Sequence, residues 1–377
     1  MKVALIFGGR SPESDISVIT ALTAAAALSE TGYEVTPVYM YGGDFYTGGL
    51  GKVEEFTPFR PEKHKKVLLY KGSFFELRRD RLRGKWRPDV ALVCCHGGEG
   101  EDGTLSALLE YNGVPYCSTG IAGSAIGMDK ELSKRFFRSM LLNVVPYAVV
   151  TKGEFESGGA AEKIRAAKLR YPLIVKPVSQ GSSIGICTAG TEEELPAALA
   201  AALAYGDRAI VEEKLSDFTE VNCAAFARGG EIVVSETEQP LSAGDVLTFE
   251  DKYLGGEKGA GGRVPADIGE LSAVIGDMTR RIYLALGLTG VVRADFLVDE
   301  RRGKVYINEI NTVPGSLAFY LFEPLGISAP ELLTSLIKEG AAKGGRRTGA
   351  AVFPSPVLTH YSASARGAKA ARRGAKG

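Results

Sequence analysis

Two stretches of alternating apolar and polar residues, separated by a short polar turn, constrain the fold more than any other feature of the chain. Residues 291–298 and 305–311 have the two-residue period of β-strands, and the turn between them ends in Gly303. If Gly303 takes the left-handed position of a three-residue loop centred on Arg302, opposed residues have numbers that sum to about 604. The pattern therefore predicts an antiparallel hairpin with a defined register.

That register places four polar side chains on one face of the hairpin, with Asp295 opposite Glu309 and Arg293 opposite Asn311. Two opposed carboxylates repel each other unless a cation lies between them. Oxygen ligands from Asp, Glu and Asn suit Mg²⁺, which usually takes one or two carboxylates together with phosphate oxygens. The hairpin therefore predicts a magnesium site, and the alternative is a polar face turned toward solvent.

Length and charge limit the class of protein. The chain has 377 residues, and a typical domain of ~150 residues predicts two or three domains. Lys and Arg number 45, as do Asp and Glu, so the formal net charge is zero and the basic excess that favours nucleic-acid binding is missing. No apolar run reaches the ~18 residues that span a bilayer. The five cysteines have no C-x-x-C spacing, which favours buried thiols over disulfides or zinc sites. We expect a cytoplasmic globular protein without nucleic-acid or membrane partners.

The N-terminus predicts a β-loop-α unit, in which an apolar strand over residues 3–7 and a Gly-Gly turn precede an Ala-rich helix. Such a unit is typical of a parallel α/β sheet. Residues 35–39 and 90–95 are predicted as further strands of that sheet. The segment 41–88 lacks clear periodicity, and we interpret it as an elaboration of the first domain.

Changes of pattern divide the rest of the chain. A helix is predicted to begin after Asp129 as its N-cap, and strands are predicted over 173–178 and 184–188. The composition of the C-terminal segment predicts a disordered basic tail, which is either solvated or in contact with an anionic surface. We expect three domains and this tail over the ranges 1–122, 123–213, 214–345 and 346–377.

A small loop over residues 180–185 lies between the two central strands, just after Lys176. Its glycines and serines allow backbone N–H groups and hydroxyls to point at a phosphate, with Lys176 as a nearby positive charge. The alternative is a plain hairpin turn. A Walker loop is excluded because Gly-Lys-Ser/Thr is absent, and the N-terminal Gly-Gly turn lacks the further glycines of a dinucleotide-binding loop.

A second loop, over residues 96–104, follows the strand that ends at Cys95. Open α/β sheets place their ligand sites at the carboxyl ends of parallel strands. This position predicts that His96 orients a substrate. A catalytic pair of Cys95 and His96 is disfavoured because adjacent strand residues point to opposite faces.

Together these segments resemble the D-alanine–D-alanine ligases of the ATP-grasp superfamily. The resemblance covers roughly residues 1–340 and rests on seven segments in the family's order. They are residues 8–13, 96–103, 128–130, 175–177 with 181–185, 212–220, 252–253, and 293–295 with 308–315.

The resemblance implies a mixed α/β, three-domain ATP-grasp architecture with a Rossmann-like N-terminal substrate domain. In this family ATP lies between the central and C-terminal domains, and the carboxylate of a first D-alanine attacks the γ-phosphate to give an acyl phosphate. The amine of a second D-alanine then displaces phosphate, and the dipeptide enters peptidoglycan synthesis. The resemblance also implies ATP with Mg²⁺ or Mn²⁺, as two ions, and a homodimer.

Roles for individual residues follow from the same resemblance. The implied metal ligands are Asp295, Glu309 and Asn311. The implied contacts with ATP are Lys130, Lys176, Ser183, Glu212, Leu215, Glu220 and Lys252. Five catalytic residues are implied. Glu13 receives the ammonium group of the first D-alanine, and Arg293 and the N–H of Gly315 stabilise the oxyanion. Ser182 and Tyr253 hold a closing loop over the site. Further substrate contacts are implied for His96, Tyr320 and Leu321. Considered alone, each of two acids has a second explanation. Glu13 is typical of a helix N-terminus, where the helix dipole favours a negative charge, and Glu212 is typical of an exposed acid on a strand.

One departure from the family concerns the acceptor. Tyr320 stands where the better-known ligases have a serine that meets the carboxylate of the second substrate. An acceptor such as D-lactate or D-serine is therefore an alternative, although Tyr253 favours a D-amino acid. A regulator that binds ATP without turnover is a further alternative. The sequence of such a regulator lacks a metal ligand or a lysine that binds phosphate, whereas this chain has all of these residues.

Overall fold

The computed structural model describes residues 1–240, 262–347 and 355–362. Two site candidates, Lys252 and Tyr253, lie outside the described residues. Of the predicted tail, residues 357–362 form an exposed helical turn, and α-helical structure from the preceding domain continues to Arg347. No helix in the described ranges is long and apolar enough to cross a membrane.

The first sheet contains the N-terminal strands. Their bounds are β1 Lys2–Gly8, β2 Glu34–Tyr41, β3 Asp44–Thr47, β4 Lys65–Tyr70, β5 Ser73–Arg78, β6 Arg81–Trp86, β7 Val90–Val93 and β8 Tyr116–Cys117. Their spatial order is β6-β5-β4-β3-β2-β1-β7-β8. As expected, β1 pairs in parallel with β2 and β7, and it is buried after its first residue because a parallel sheet is covered on both faces. The segment 41–88 adds β3 to β6 as an antiparallel extension.

The second sheet is antiparallel. Its strands are β9 Tyr147–Thr151, β10 Leu173–Pro177, β11 Cys187–Ala189 and β12 Arg208–Glu213, in the order β11-β10-β12-β9. The prediction of a strand over 184–188 is wrong in its first half, because the N–H of Ile184 bonds to the carbonyl of Gly181 at 3.1 Å and keeps the chain in a turn. Pairing with β10 begins only at Cys187.

The third sheet carries the predicted hairpin. Its strands are β13 Thr219–Arg228, β14 Glu231–Pro240, β15 Gly262–Arg263, β16 Val292–Asp299 and β17 Lys304–Asn311, in the order β15-β14-β13-β16-β17. Burial alternates strictly along β16, so its buried residues, from Val292 to Val298 in steps of two, face the core while Arg293 and Asp295 face the opposite side.

Helices cover the sheets and join them. Those of the described ranges are α1 Ser14–Leu28, α2 Thr104–Asn112, α3 Ile121–Met128, α4 Lys130–Ser139, α5 Lys152–Glu156, α6 Ala160–Ala166, α7 Leu195–Leu203, α8 Leu271–Ala285 and α9 Ala329–Arg347. Helix α9 packs against β7 and β8 of the first sheet and also against β13 of the third. A methyl group on Gly340 of α9 would lie 2.8 Å from the Sγ of Cys117. This close contact packs α9 against β8, and through its contacts with β13 the same helix joins the first sheet to the third.

Candidate active site

A cavity of about 570 Å³ is lined by strands of the second and third sheets and by the helix and loop that follow β1 and β7 of the first. Most of the residues singled out from the sequence line it: Glu13, His96, Lys130, Lys176, Ser182, Ser183, Glu212, Leu215, Glu220, Arg293, Asp295, Glu309, Asn311, Gly315 and Tyr320. Leu321 does not; its side chain is fully buried in the hydrophobic core beside the cavity. Segments far apart in the chain therefore converge on one site.

The hairpin has the predicted register where it faces the cavity. Asp295 pairs with Glu309, and Arg293 pairs with Asn311. The same register continues across the sheet, since Asn222 of β13 pairs with Asp295 on one side and with Glu238 of β14 on the other. Four oxygen-bearing side chains, one from each of four neighbouring strands, therefore form a row along the cavity wall.

The turn of the hairpin differs from the prediction. Four residues, 300–303, connect the paired ends of the two strands instead of three, although Gly303 is left-handed as expected, with a φ of 61°. A register shift after Asp295 leaves Asn308 as an extra residue in β17. The bulge offsets the longer turn, so the pairing at the site is as predicted.

Cations of the protein neutralise the two opposed carboxylates. Arg293 donates two hydrogen bonds to Asp295, from Nε at 2.7 Å and from Nη2 at 2.9 Å. Asn311 Nδ2 donates a third at 2.8 Å. The Nζ of Lys130 lies 3.4 Å from Glu309 Oε2. These contacts explain how the hairpin is stable with two carboxylates directly opposed.

The donor atoms on this face fit Mg²⁺ or Mn²⁺. Two carboxylates and one amide share the face, and their oxygen atoms are the kind of ligand that hard divalent cations bind. No group of three or more His, Cys, Asp or Glu residues within the described ranges is arranged to hold a metal by itself. Oxygens from a phosphate ligand would therefore complete the coordination, and the lysines that face the hairpin suit such a ligand.

Two lysines of the second sheet and its preceding helix face the hairpin. Asp129 caps α4 as predicted, with its carboxylate accepting from the Leu132 N–H at 2.9 Å. The cap holds the first turn of α4 so that Lys130 Nζ donates to the carbonyl of Gln180 at 2.6 Å. Lys176 Nζ lies 3.5 Å from Asn308 Oδ1. The two ammonium groups therefore lie between the glycine-containing loop and the predicted metal ligands.

Glu212 is held by two buried lysines, one of which the sequence analysis missed. Lys134 Nζ lies 2.8 Å from one carboxylate oxygen and Lys176 Nζ 2.7 Å from the other. The side chains of Lys134 and Glu212 are 1% and 3% exposed. Burial alone would raise the pKa of Glu212, but the two lysines outweigh it and lower that pKa to about 2. Burial lowers the pKa of Lys134 against the attraction of Glu212.

The glycine-containing loop reaches across to the first sheet. Ser182 Oγ donates to the carboxylate of Glu13, and a methyl group on Gly181 would lie 2.8 Å from the same carboxylate. Ser182 and Ser183 both have left-handed backbones, with φ of 49° and 60°. Left-handed backbone in residues other than glycine is strained and occurs mostly where surrounding contacts hold it. The loop is therefore bent into the cavity.

His96 is a neutral, buried link between the first sheet and the segment after the hairpin. Its Nδ1 lies 2.7 Å from the carbonyl of Val313, which can only accept. Its Nε2 therefore accepts from the hydroxyl of Thr20 at 2.8 Å. Burial lowers the pKa of His96 to about 4, against the hydrogen bond to Val313. The ring is fully engaged, so its contribution to the site is to hold this segment in place.

Glu101 is a second, partly buried link that the sequence analysis did not single out. Its carboxylate accepts from the N–H groups of Gly97 and Val313, both at 2.8 Å. Burial raises the pKa of Glu101 to about 7, and the charge of Glu13 adds to the increase. His96 and Glu101 together attach the loop of the first sheet to the backbone just before Gly315.

The segment that carries Gly315 ends in a left-handed turn. Ser316, Leu317 and Ala318 have φ of 49°, 51° and 47°. The turn buries Leu317 and Ala318 and leaves Tyr320 on the cavity wall. The hydroxyl of Tyr320 donates to Glu238 Oε2 at 2.9 Å.

Comparison with known proteins identifies the family. The family model for the N-terminus of D-ala D-ala ligases matches residues 2–119, and the model for the C-terminus matches residues 136–338. A D-alanine–D-alanine ligase of Chloroherpeton thalassium is 36% identical over 352 residues, which is 89% of this chain and 95% of the relative. One from Deinococcus radiodurans is 33% identical over 346 residues, 89% of this chain and 97% of the relative.

Solved structures agree in fold. The D-alanine–D-alanine ligase of Coxiella burnetii has a TM-score of 0.76 at 23% identity and covers 97% of this chain and 99% of its own. The VanG D-Ala:D-Ser ligase of Enterococcus faecalis has a TM-score of 0.75 at 26% identity, covering 90% and 99%. The predicted mixed α/β ATP-grasp fold is thereby confirmed. Both family models and these relatives together place the chain in the D-alanine–D-alanine ligase family.

Proposed function

We propose that the cavity carries out the ATP-dependent ligation of two D-alanines to D-alanyl-D-alanine through an acyl phosphate. The observation that carries the proposal is that one cavity is lined by Lys130 and Lys176, by the opposed carboxylates of Asp295 and Glu309, and by Glu13, with Lys130 Nζ 3.4 Å from Glu309. Phosphate-binding cations, metal ligands and a receptor for an amino group are the three elements that such a ligation needs.

ATP would bind between the second and third sheets. Lys130 and Lys176 would contact its phosphates as point charges, and the Ser183 loop would close over them. Glu212 would accept a hydrogen bond from the adenine amino group, with Leu215 beside the ring and Glu220 at the ribose. Lys252 is assigned to the γ-phosphate by the family resemblance alone. In this arrangement Lys134 is a positioning residue, because its ion pair orients Glu212.

The metal ligands would be Asp295, Glu309 and Asn311, with Mg²⁺ or Mn²⁺ as two ions. When bound, such ions neutralise the charge that develops during phosphoryl transfer. Arg293 stays close to this face through Asp295. Freed in part from that pair, its guanidinium would stabilise the oxyanion formed when the second amine attacks, together with the N–H of Gly315.

The first D-alanine would lie next to Glu13, whose carboxylate receives its ammonium group. Ser182 already donates to Glu13, so the closing loop and the substrate contact are connected. His96 positions the segment that ends in Gly315, Tyr320 faces the acceptor, and Leu321 packs behind it. Tyr253 would complete the closing loop.

Domain roles, assembly and location remain part of the proposal. We assign residues 1–122 to the substrate domain, 123–213 and 214–345 to the two halves that enclose ATP, and 346–377 to a tail outside the catalytic body. The absence of a net basic charge and the use of ATP support a cytoplasmic enzyme that acts on small molecules. A homodimer is proposed from the family resemblance.

Phosphate release from ATP tests the proposal. With Mg²⁺ present, release should require D-alanine, and mass spectrometry should find D-alanyl-D-alanine in equal amount. Parallel assays with D-alanine plus D-lactate or D-serine identify other acceptors by their products. Rapid ATP hydrolysis without any D-amino acid, or no turnover with D-alanine, would contradict the assignment.

A further inference from the structure

The hydroxyl of Thr20, which the sequence analysis did not single out, connects helix α1 to the segment that carries Gly315. Thr20 lines the cavity and is 1% exposed. Its Oγ1 lies 2.8 Å from His96 Nε2 and 3.2 Å from the backbone nitrogen of Ser316. A threonine in a helix often bonds a carbonyl of the preceding turn, whereas this hydroxyl joins two segments that are remote from it in the chain.

The chemistry of the groups fixes the direction of each hydrogen bond. The carbonyl of Val313 can only accept, so His96 Nδ1 carries the proton of the neutral ring and Nε2 is an acceptor. The hydroxyl of Thr20 has one proton and donates it to Nε2. Its oxygen in turn accepts from the N–H of Ser316. Each of the three bonds therefore has one donor and one acceptor.

The three bonds begin and end on one backbone segment. Thr20 holds this segment at Ser316, and His96 holds it at Val313. The two residues between these points, 314–315, are therefore fixed from both sides. Removing the hydroxyl of Thr20 would leave the bond between His96 and Val313 in place and would free the segment on its other side.

The same segment determines where the N–H of Gly315 points. The N–H of Leu317 donates to the carbonyl of Pro314 at 2.8 Å. This carbonyl and the Gly315 N–H belong to one trans peptide group, so they point in opposite directions. A change of the backbone at Ser316, which lies inside this turn, therefore changes the direction of the Gly315 N–H.

Left-handed backbone makes the turn dependent on contacts with the rest of the protein. Residues 316–318 have φ between 47° and 51°. Residues other than glycine keep such a conformation where surrounding contacts hold it. The bond from the Ser316 N–H to Thr20 is one of these contacts. Without it, the first left-handed residue can relax, and the N–H of Gly315 loses its fixed direction.

We propose that Thr20 is a positioning residue for the second step of the ligation, because its hydroxyl holds the N–H of Gly315 where the oxyanion forms. This inference rests on the proposed function and adds to it a side chain of helix α1 that acts through the backbone of Ser316. Thr20 itself touches neither the reacting carbon nor the phosphate.

Only the second step needs this N–H. In the first step a carboxylate oxygen of D-alanine bonds to the γ-phosphorus and ADP leaves, so no oxyanion forms at carbon. In the second step the amine nitrogen bonds to the acyl carbon, and the carbonyl electron pair moves onto its oxygen. When this pair returns, the bond to phosphate breaks, and the phosphate leaves with a proton from the nitrogen. A donor at the oxyanion therefore stabilises the second step selectively.

Binding of a tetrahedral analogue tests the inference in the full-length chain. The probe is a phosphinate analogue of D-alanyl-D-alanine, which presents a charged oxygen where the oxyanion forms. Its Kd is measured by calorimetry with Mg²⁺ and a non-hydrolysable ATP analogue present. Thr20→Val keeps the shape of the side chain and removes the hydroxyl. It should raise this Kd about five- to tenfold, the usual effect of one neutral hydrogen bond.

The first step provides a readout that a general structural role would also change. In a rapid-quench single turnover with ATP and D-alanine, the rate of ADP formation in Thr20→Val should stay within twofold of wild type. Thr20→Ser keeps the hydroxyl and should restore the Kd of the phosphinate. Thr279→Val provides the matched control, because Thr279 is a buried helical threonine that bonds a carbonyl of its own helix outside the cavity lining.

The outcomes distinguish the two proposals. A phosphinate Kd in Thr20→Val within twofold of wild type would overturn the role of Thr20, and so would an equal loss in ADP formation, which would show a general structural effect. If Thr20→Val does not fold, Thr20→Ala removes the same hydroxyl and is judged by the same two measurements. Failure of the wild-type chain to form D-alanyl-D-alanine would instead overturn the proposed function, and this inference with it.

Discussion

Replacing Lys134 by methionine should destabilise the second sheet strongly, because Lys134 and Glu212 form a buried ion pair. The two side chains are 1% and 3% exposed, and the charged atoms lie 2.8 Å apart. Methionine keeps the length of the side chain and removes its charge. Glu212 then remains buried with Lys176 as its one cation.

The size of the effect follows from this burial. Removing one partner of a buried ion pair typically costs about 3–5 kcal/mol where the remaining charge is left uncompensated. Because Lys176 still pairs with Glu212, we expect a cost near the lower end, about 3 kcal/mol. At about 1.4 kcal/mol per factor of ten, the population of locally opened molecules should rise roughly a hundredfold. The KM for ATP should also rise, since Glu212 is proposed to meet the adenine ring.

Hydrogen exchange of the β12 amides is a suitable assay, because it reports local opening of the second sheet. A global unfolding curve is less suitable, since a chain with three sheets need not unfold in one step. The exposed pair of Lys163 and Glu154, with side chains 40% and 38% exposed, provides the control. Lys163→Met should change exchange far less, since exposed pairs are screened by water. The double variant Lys134→Met with Glu212→Gln should lose less than the sum of the single changes. A cost below about 1 kcal/mol for Lys134→Met would refute the argument from burial.

Four further outcomes are expected. Asp295→Asn and Glu309→Gln should each abolish most Mg²⁺-dependent phosphate release in a folded chain, and near wild-type turnover in either would contradict the metal assignment. The melting temperature should fall in Asp295→Asn, because the change breaks the pair with Arg293. Burial lowers the pKa of His96 to about 4, so as the pH falls the unfolded chain protonates this imidazole before the folded chain does, and folding loses stability between about pH 6.5 and 4. His96→Asn should reduce that loss, as measured by urea titrations at each pH. Burial raises the pKa of Glu101 to about 7, so the stability that this group contributes is complete below about pH 4.3 and is lost as the pH rises through 7. Glu101→Gln should therefore reduce the loss of stability between about pH 4.3 and 7 in the same titrations. A chain that ends at Arg347, the last residue of α9, should keep its activity and melting temperature, and loss of either would show that the tail packs on the body.

The pairing at the site could be predicted from the sequence because strand alternation is local. Asp295 and Glu309 face each other as expected, but one assumption behind that prediction was wrong. The turn is a residue longer, and the bulge at Asn308 compensates for it. Alternation fixes the face of a side chain near the site, whereas a bulge depends on neighbouring strands that the local pattern does not contain.

The residues that were missed lack any local signal. Lys134 follows Lys130 by one helical turn and looks like an ordinary surface lysine of an amphipathic helix. Its burial is decided by Glu212, which is far away in the chain. Glu238 is also buried, and Glu101 partly buried, by segments remote from them. The antiparallel strands within 41–88 were similarly unrecognised, since their alternation is weak and their partners stabilise them.

These distant contacts have a common physical cause. A site for a nucleotide needs several like charges close together, and a folded chain can keep them only if each is paired while the ligand is absent. Lys130 lies near Glu309, Lys176 near Glu212, and Arg293 is bonded to Asp295. Binding of a nucleotide with its metal would supply charges of both signs, so each cation and each carboxylate of these pairs could exchange its protein partner for a ligand group of opposite charge. Two of these pairs lie within a single sheet, whereas the pair of Lys130 with Glu309 joins helix α4 to the third sheet. On this argument the pair of Lys130 with Glu309 is the one that stabilises the two sides of the cavity against each other while the ligand is absent.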